Sequence, residues 1–182
     1  MTVYIGLLRA VNLGGGTQVP MDRLRGLLAE IGFEEGRTLL QSGNVVFRSR
    51  SGDEPSLERT LAQAVARKMG VRTEAFVRSA EAWRSVIAGN PFGREARDDP
   101  SHLLVMALRD APTEERWTAL AAAIPGRERV HGSGRHAYLV YPDGIGRSRL
   151  TAARIESRLG TVGTARNWNT VNKLAELAAA PG

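Results

Sequence analysis

Two passes of one pattern, each filling about half of the chain, restrict this sequence more than any single residue does. In the first pass, the apolar run of residues 3–8 reads as a buried strand bounded by Gly14, Gly15 and Gly16. Met21, Leu24, Leu27, Leu28 and Ile31 recur at spacings of three and four between Pro20 and Gly32, which predicts a helix. Residues 38–41 and 44–48 flank Ser42 and Gly43 and read as a hairpin. A helix over 55–69 with Leu57, Leu61 and Val65 on one face, a strand over 72–77 and a short helix over 80–88 complete the half. After the polar stretch 90–100 the order returns. It brings a strand (102–108), a helix (113–124) capped by Thr113, a hairpin (129–131 and 136–141) around Gly132, Ser133 and Gly134, a helix (148–159), a weak strand (161–165) and a last helix (168–179).

Each half therefore reads β-α-β-β-α-β plus a trailing helix, and the serines of the two Ser-Gly turns, Ser42 and Ser133, lie 91 residues apart in a chain of 182. We expect an α+β fold of duplicated ferredoxin-like units, two antiparallel sheets with helices packed on them, divided as residues 1–90 and 91–182. This topology has a geometric corollary. Strand one runs parallel to strand two with strand three between them, so the exit of strand one and the first hairpin share one edge of the sheet. Arg9, Asn12 and the glycine loop should meet Gln41, Ser42, Gly43 and Asn44 there.

Several blocks then become recognisable: the run from Tyr4 to Arg9, Asn12 with Leu13, Gly14 and Gly15, the run from Val19 to Met21, and the run from Gln41 to Phe47. Asn90-Pro91-Phe92, Tyr141 to Gly144, Gly146-Arg147-Ser148 and Arg166 to Val171 with Lys173 and Leu174 continue the series. Together they resemble the domain-of-unknown-function 1697 family over nearly the whole chain and in the right order. The resemblance implies a fold of ferredoxin-like character and no established activity. Three positions depart from the family pattern: Ala10 where Gly is usual, Arg149 where Lys is common and Ala165 where Thr is common. Ala10 implies a backbone without positive φ, and Arg149 argues against chemistry that needs a lysine amine.

The motifs that could carry function are polar. The Asn12 to Gly16 turn before a helix resembles a phosphate-cradling loop, although Asp22 in the first turn opposes an anion. Gln41, Ser42 and Asn44 suit a hairpin turn on structural grounds as well as a binding role. Gly144 to Ser148 follows a strand and opens a helix that Ser148 could cap, and Arg147 and Arg149 beside its positive end would then favour an anion. Arg166, Asn167, Trp168 and Asn169 stand before the last helix, where either Asn suits the N-cap, Trp168 reads as core, and Arg166 could bind carboxylate or phosphate bidentately. Arg9, Asn12, Gly14, Gly15, Gln41, Ser42, Asn44, Arg147, Ser148, Arg166, Asn167 and Asn169 are thus the candidate ligand-binding residues. Standard catalytic sets do not emerge: His102, His131 and His136 lack metal-ligand spacing, and carboxylates at helical spacing read as solvated faces.

Charge separates the function classes. The chain carries 25 Lys and Arg against 19 Asp and Glu, a formal +6. Residues 127–173 hold nine of the basic residues and three of the acidic ones, so the whole excess falls in that segment. Salt-dependent nucleic-acid binding through 127–173 is one reading, but consecutive apolar residues along the strands leave no open aromatic face of the kind that RNA-recognition sheets present. With no Cys, thiolate sites and disulfides are excluded, and no apolar run approaches the ~20 residues of a membrane helix. The expectation is a cytoplasmic protein without a cofactor, metal or membrane partner. It would bind a small anionic or phosphorylated ligand at the edge of the first sheet, with an enzyme of non-standard mechanism as the alternative and a homodimer left open.

Overall fold

The computed structural model describes residues 1–13, 18–50 and 52–181. It divides into two compact units, Met1–Ser85 with Lys173–Gly182, and Val86–Asn172. In the first, β1 (Thr2–Leu8), α1 (Met21–Glu30), β2 (Glu34–Leu39), β3 (Asn44–Ser49), α2 (Glu54–Met69) and β4 (Ala75–Ser79) are followed by α3 (Ala80–Ala88). The sheet order is β2-β3-β1-β4, and all neighbours are antiparallel. Leu24, Leu27 and Leu28 of α1 and Leu57, Leu61 and Val65 of α2 pack on Leu8, Val45, Phe47 and Val77 to form its core. Helix α2 starts where the Asp53 side chain accepts from Ser56 N–H, and it stops at Gly70, whose φ of 69° is costly for other residues.

The outer edge of this sheet is held by α2. Val77 N–H donates to Glu58 Oε1 at 2.9 Å and Ser79 N–H to Glu54 Oε1 at 2.9 Å. Glu58 also receives Arg78 Nη1 at 3.1 Å, with both side chains 2% exposed. Glu58 thus corrects the expectation that helical carboxylates face solvent.

The second unit contains α4 (Gly93–Asp98), β5 (Leu103–Leu108), α5 (Glu114–Ala122), β6 (Arg129–Ser133), β7 (His136–Val140), a 3₁₀ turn (Ile145–Arg147), α6 (Ala152–Leu159), β8 (Gly163–Asn167) and the start of α7 (Trp168–Ala179). Its sheet order, β6-β7-β5-β8, repeats the first, again antiparallel throughout. The duplication extends to individual hydrogen bonds. Leu8 N–H donates to Gly43 C=O at 2.8 Å, and Leu108 N–H to Arg135 C=O at 2.9 Å. Arg9 N–H reaches Glu74 C=O as Arg109 N–H reaches Val162 C=O, both at 2.9 Å. A buried arginine on the last strand donates to the preceding carbonyl in each unit, Arg78 to Val77 at 2.7 Å and Arg166 to Ala165 at 2.8 Å. The fold is the duplicated ferredoxin-like α+β architecture that the pattern predicts.

Local departures have local causes. Helix α4 lies inside the stretch read as polar and buries no residue, so it carries no apolar period to read. Strands β4 and β8 begin two or three residues later than expected. Ala10 has φ 52°, contrary to the inference from its Cβ, and Asn12 and Leu40 are left-handed as well, at 57° and 58°. Ala10 and Leu40, at the same end of the sheet, hold backbone strain of ~1–2 kcal/mol each, and Asn12 less because Asn tolerates this region. Every residue of β5 is buried, so that strand offers no open face. Among the described residues no helix is long and apolar enough to cross a membrane.

Candidate functional site at the exit of strand one

At the end of β1 the chain passes between the β2–β3 hairpin on one side and the start of β4 on the other, because both neighbours run antiparallel to it. On the hairpin side Asn12 is a clamp. Its Oδ1 accepts from Val19 N–H at 2.7 Å, and its Nδ2 donates to Val19 C=O at 2.9 Å and to Gln41 C=O at 2.6 Å. The side chain therefore ties both ends of the loop to the hairpin, and Asn accepts the left-handed φ of this position more readily than most residues. Asn44 is fully buried and donates to Leu39 C=O at 3.0 Å and Ser42 Oγ at 2.9 Å, closing the turn. Gln41 is exposed, with its carbonyl taken by Asn12. The strand exit and the hairpin are brought together as the topology requires, and the two asparagines spend their hydrogen bonds within the chain. Gly14 and Gly15 lie outside the described residues.

On the β4 side is a cleft of about 380 Å³ lined by Arg9, Ala10, Arg72, Thr73 and Glu74. Thr73 Oγ1 donates to Arg9 C=O at 2.7 Å. Arg9 is half-buried and Arg72 is exposed, so two arginines and a threonine line one depression, with Glu74 as the single acidic residue on its wall. Arg72 and Thr73 were not among the sequence candidates. The antiparallel pairing that places the hairpin beside Arg9 also places residues 72–74 there, and that was the available signal.

The candidates of the second unit distribute differently. Ser148 does not cap a helix; α6 begins at Ala152 and is capped by Thr151, whose Oγ1 accepts from Arg154 N–H at 3.3 Å. Arg147 and Arg149 are exposed and precede the helix start by three residues or more, so the placement beside the helix's positive end that would favour an anion does not arise. Ser148 instead donates to Glu128 and accepts from Leu150 N–H, in a cleft of about 190 Å³ that Arg127, Tyr141, Arg147 and Arg149 also line. The Ser148 hydrogen bond holds the Glu128 carboxyl below its usual range, and burial with the nearby Glu128 charge pushes Tyr141 up to about 12. Arg166 is 9% exposed and donates to Thr164 Oγ1 and Ala165 C=O, and burial pushes its pKa down to about 10. Asn167 Oδ1 accepts from Thr170 N–H as the cap of α7, Trp168 is buried and Asn169 is exposed.

Fold and site together define a duplicated ferredoxin-like α+β protein whose first sheet opens a small arginine-lined cleft at the exit of its first strand. The chain belongs to the family described as Protein of unknown function (DUF1697), whose model matches residues 1–138. Among solved structures it is similar to the conserved bacterial protein SP0830 from Streptococcus pneumoniae, with a TM-score of 0.75 and 19% identity over 97% of this chain and 98% of that one. At that identity the likeness bears on fold alone. A putative chlorite dismutase, TA0507, aligns over 97% of this chain and 99% of its own at 14% identity, with a TM-score of 0.26 that carries no argument. No curated protein matches the chain.

Proposed function

We propose that this protein binds a small anionic ligand at the exit of β1, with Arg9 and Arg72 supplying the charge and Thr73 a hydroxyl. The observation that carries this reading is the cleft that those three residues line. Its volume of about 380 Å³ falls in the range of small-molecule sites, and guanidinium groups recognise carboxylate and phosphate oxygens through paired, charge-assisted hydrogen bonds. The left-handed Ala10 within the lining, beside the left-handed Asn12, adds the backbone strain that accompanies functional loops. Asn12, Ser42 and Asn44 then serve the site by fixing the loop and hairpin rather than by touching the ligand.

Nucleic-acid binding through residues 127–173 has less support. Arg127 pairs with Asp143, Arg129 with Glu95, and Arg166 is buried, so part of the basic excess is spent inside the unit. Calorimetric titration with inorganic phosphate and with citrate tests the ligand reading. Binding should weaken at least tenfold in Arg9→Ala and in Arg72→Ala with the fold retained; unchanged binding in both variants, or no binding to either probe by the wild type, refutes it. A duplex-DNA affinity with a steep salt slope that survives both changes would favour the basic segment instead.

A further inference from the structure

The duplication allows one repeat to be read as a record of what the other lacks. Leu8 pairs with Ala75 as Leu108 pairs with Gly163, which sets Ala10 against Asp110, Thr73 against Thr161 and Arg72 against Gly160. In the second unit Asp110 N–H donates to Thr161 Oγ1 at 3.0 Å, and that hydroxyl donates to Asp110 Oδ2 at 3.2 Å. The space over Gly160 is taken by a guanidinium from α5: a Cβ placed there would stand 2.3 Å from Arg116 Nη1. The second repeat therefore holds a threonine hydroxyl hydrogen-bonded to a carboxylate, with a guanidinium over the neighbouring Gly160, all from its own residues.

The first repeat keeps two of the three. Thr73 supplies the hydroxyl, Arg72 carries the guanidinium on its own side chain, and Ala10 supplies no carboxylate. Relative to the second repeat, Asp110 is exchanged for Ala10, which removes a negative charge, Arg72 supplies the guanidinium that Arg116 supplies there, and the cleft opens beside the shortened side chain. Glu74, against Val162 in the second repeat, brings a carboxylate to the wall of the cleft, and Arg9 matches Arg109.

The geometry points to a carboxylic acid as the ligand of the first-repeat cleft, its carboxylate taking the place that the Asp110 side chain fills in the second repeat. This inference rests on the anionic-ligand reading above and narrows it to one chemical class. The ligand carboxylate would sit against Arg72 and Arg9. The Thr73 hydroxyl would turn from Arg9 C=O to the ligand, as Thr161 does toward Asp110. A cleft of about 380 Å³ leaves room beyond the carboxylate for a body of several carbon atoms.

The test is a titration of the full chain with acetate, benzoate and inorganic phosphate, followed by amide chemical shifts of residues 9–11 and 72–74. Wild type should respond to acetate and more tightly to benzoate. Ala10→Asp should weaken benzoate binding at least tenfold by supplying the missing carboxylate in cis, and its melting temperature should not fall, because Asp tolerates the left-handed φ of this position better than most residues. Thr73→Val should weaken benzoate without abolishing it. If phosphate binds at these residues and neither carboxylate does, the carboxylate class falls and the anionic-ligand reading stands. If no probe moves these signals, both fall. If a folded Ala10→Asp binds benzoate as the wild type does, the equivalence of ligand and Asp110 is wrong.

Discussion

Removing the carboxylate of Glu58 should be among the most destabilising single changes available in the first unit. Glu58 and Arg78 are each 2% exposed and 3.1 Å apart, and Glu58 Oε1 also receives Val77 N–H. Deleting one member of a buried pair leaves the other charge desolvated, at about 3–5 kcal/mol. Glu58→Gln keeps an oxygen for Val77, and Glu54 Oε2 stays 3.9 Å from Arg78, which together place the expected loss near the lower figure, about 3 kcal/mol. For a chain of this length that corresponds to a melting temperature lower by roughly 6–12 °C. The double variant Glu58→Leu with Arg78→Met removes both charges and should recover most of the loss, with a residual of about 1–3 kcal/mol from the Val77 N–H left without its acceptor. Urea and thermal unfolding followed by circular dichroism on the wild type, Glu58→Gln, the singles Glu58→Leu and Arg78→Met and the double variant complete the cycle. A Glu58→Gln loss below about 1 kcal/mol, the ordinary worth of a solvated pair, would refute the argument. So would a double variant whose loss equals the sum of the two singles.

Three further outcomes follow from the geometry. Asn12→Ala deletes three hydrogen bonds and a residue suited to a φ of 57°, so urea unfolding should show a loss of about 2–4 kcal/mol, with Asn12→Asp intermediate because it keeps only the bond from Val19 N–H. At Gly43, φ is 73° and an added Cβ would stand 2.5 Å from Val11 Cγ2 and 2.8 Å from Leu8 Cβ; Gly43→Ala should cost about 2–4 kcal/mol in the same assay. The Arg129 guanidinium holds the Glu95 carboxyl below its ordinary 4.5, so the folded state has the lower pKa. Its stabilisation is present above about pH 4.5 and lost as pH falls through the depressed value. Glu95→Gln should therefore melt below the wild type at pH 7, with the gap narrowing as pH falls below about 4.5, and parallel curves would contradict the assignment.

What the sequence disclosed was mostly periodic and local. Helices α3 and α7 were legible to the residue because their apolar spacing starts directly after a strand, at Ala80 and at Trp168. The meeting of the strand-one exit with the first hairpin was legible because β-α-β-β topology leaves one arrangement. The capping of α6 was not: Ser148 and Thr151 are equally good caps by residue type, and only the pairing of Ser148 with Glu128 decides between them. Glu58 was misread for a similar reason, since its partner lies 20 positions away on another element. Its place on the stripe running through Glu54, Leu61 and Val65 was the available sign that it faces inward. Arg166 drew attention as a charged residue before a helix, whereas its position within β8 buries it. The cleft at Arg9 combines side chains from residues 9–10 and 72–74, a proximity that follows from strand pairing but that no short motif records.

The carboxylates of α2 also govern how this protein behaves toward other polypeptides. An unoccupied strand edge is a template on which a second chain can hydrogen-bond and nucleate aggregates. Along β4 the amides of Val77 and Ser79 are already engaged by Glu58 and Glu54, and at the start of β8 the amide of Gly163 is engaged by Glu156 at 3.0 Å. An incoming strand would have to evict a carboxylate at each of these positions. At the opposite end of the first sheet, β2 is interrupted by a register shift between Glu34 and Arg37, with Glu35 at a φ of 51°. Variants that lose Glu54, Glu58 or Glu156 should therefore precipitate more readily than their unfolding free energies alone would indicate, because the folded sheet itself becomes able to recruit another chain.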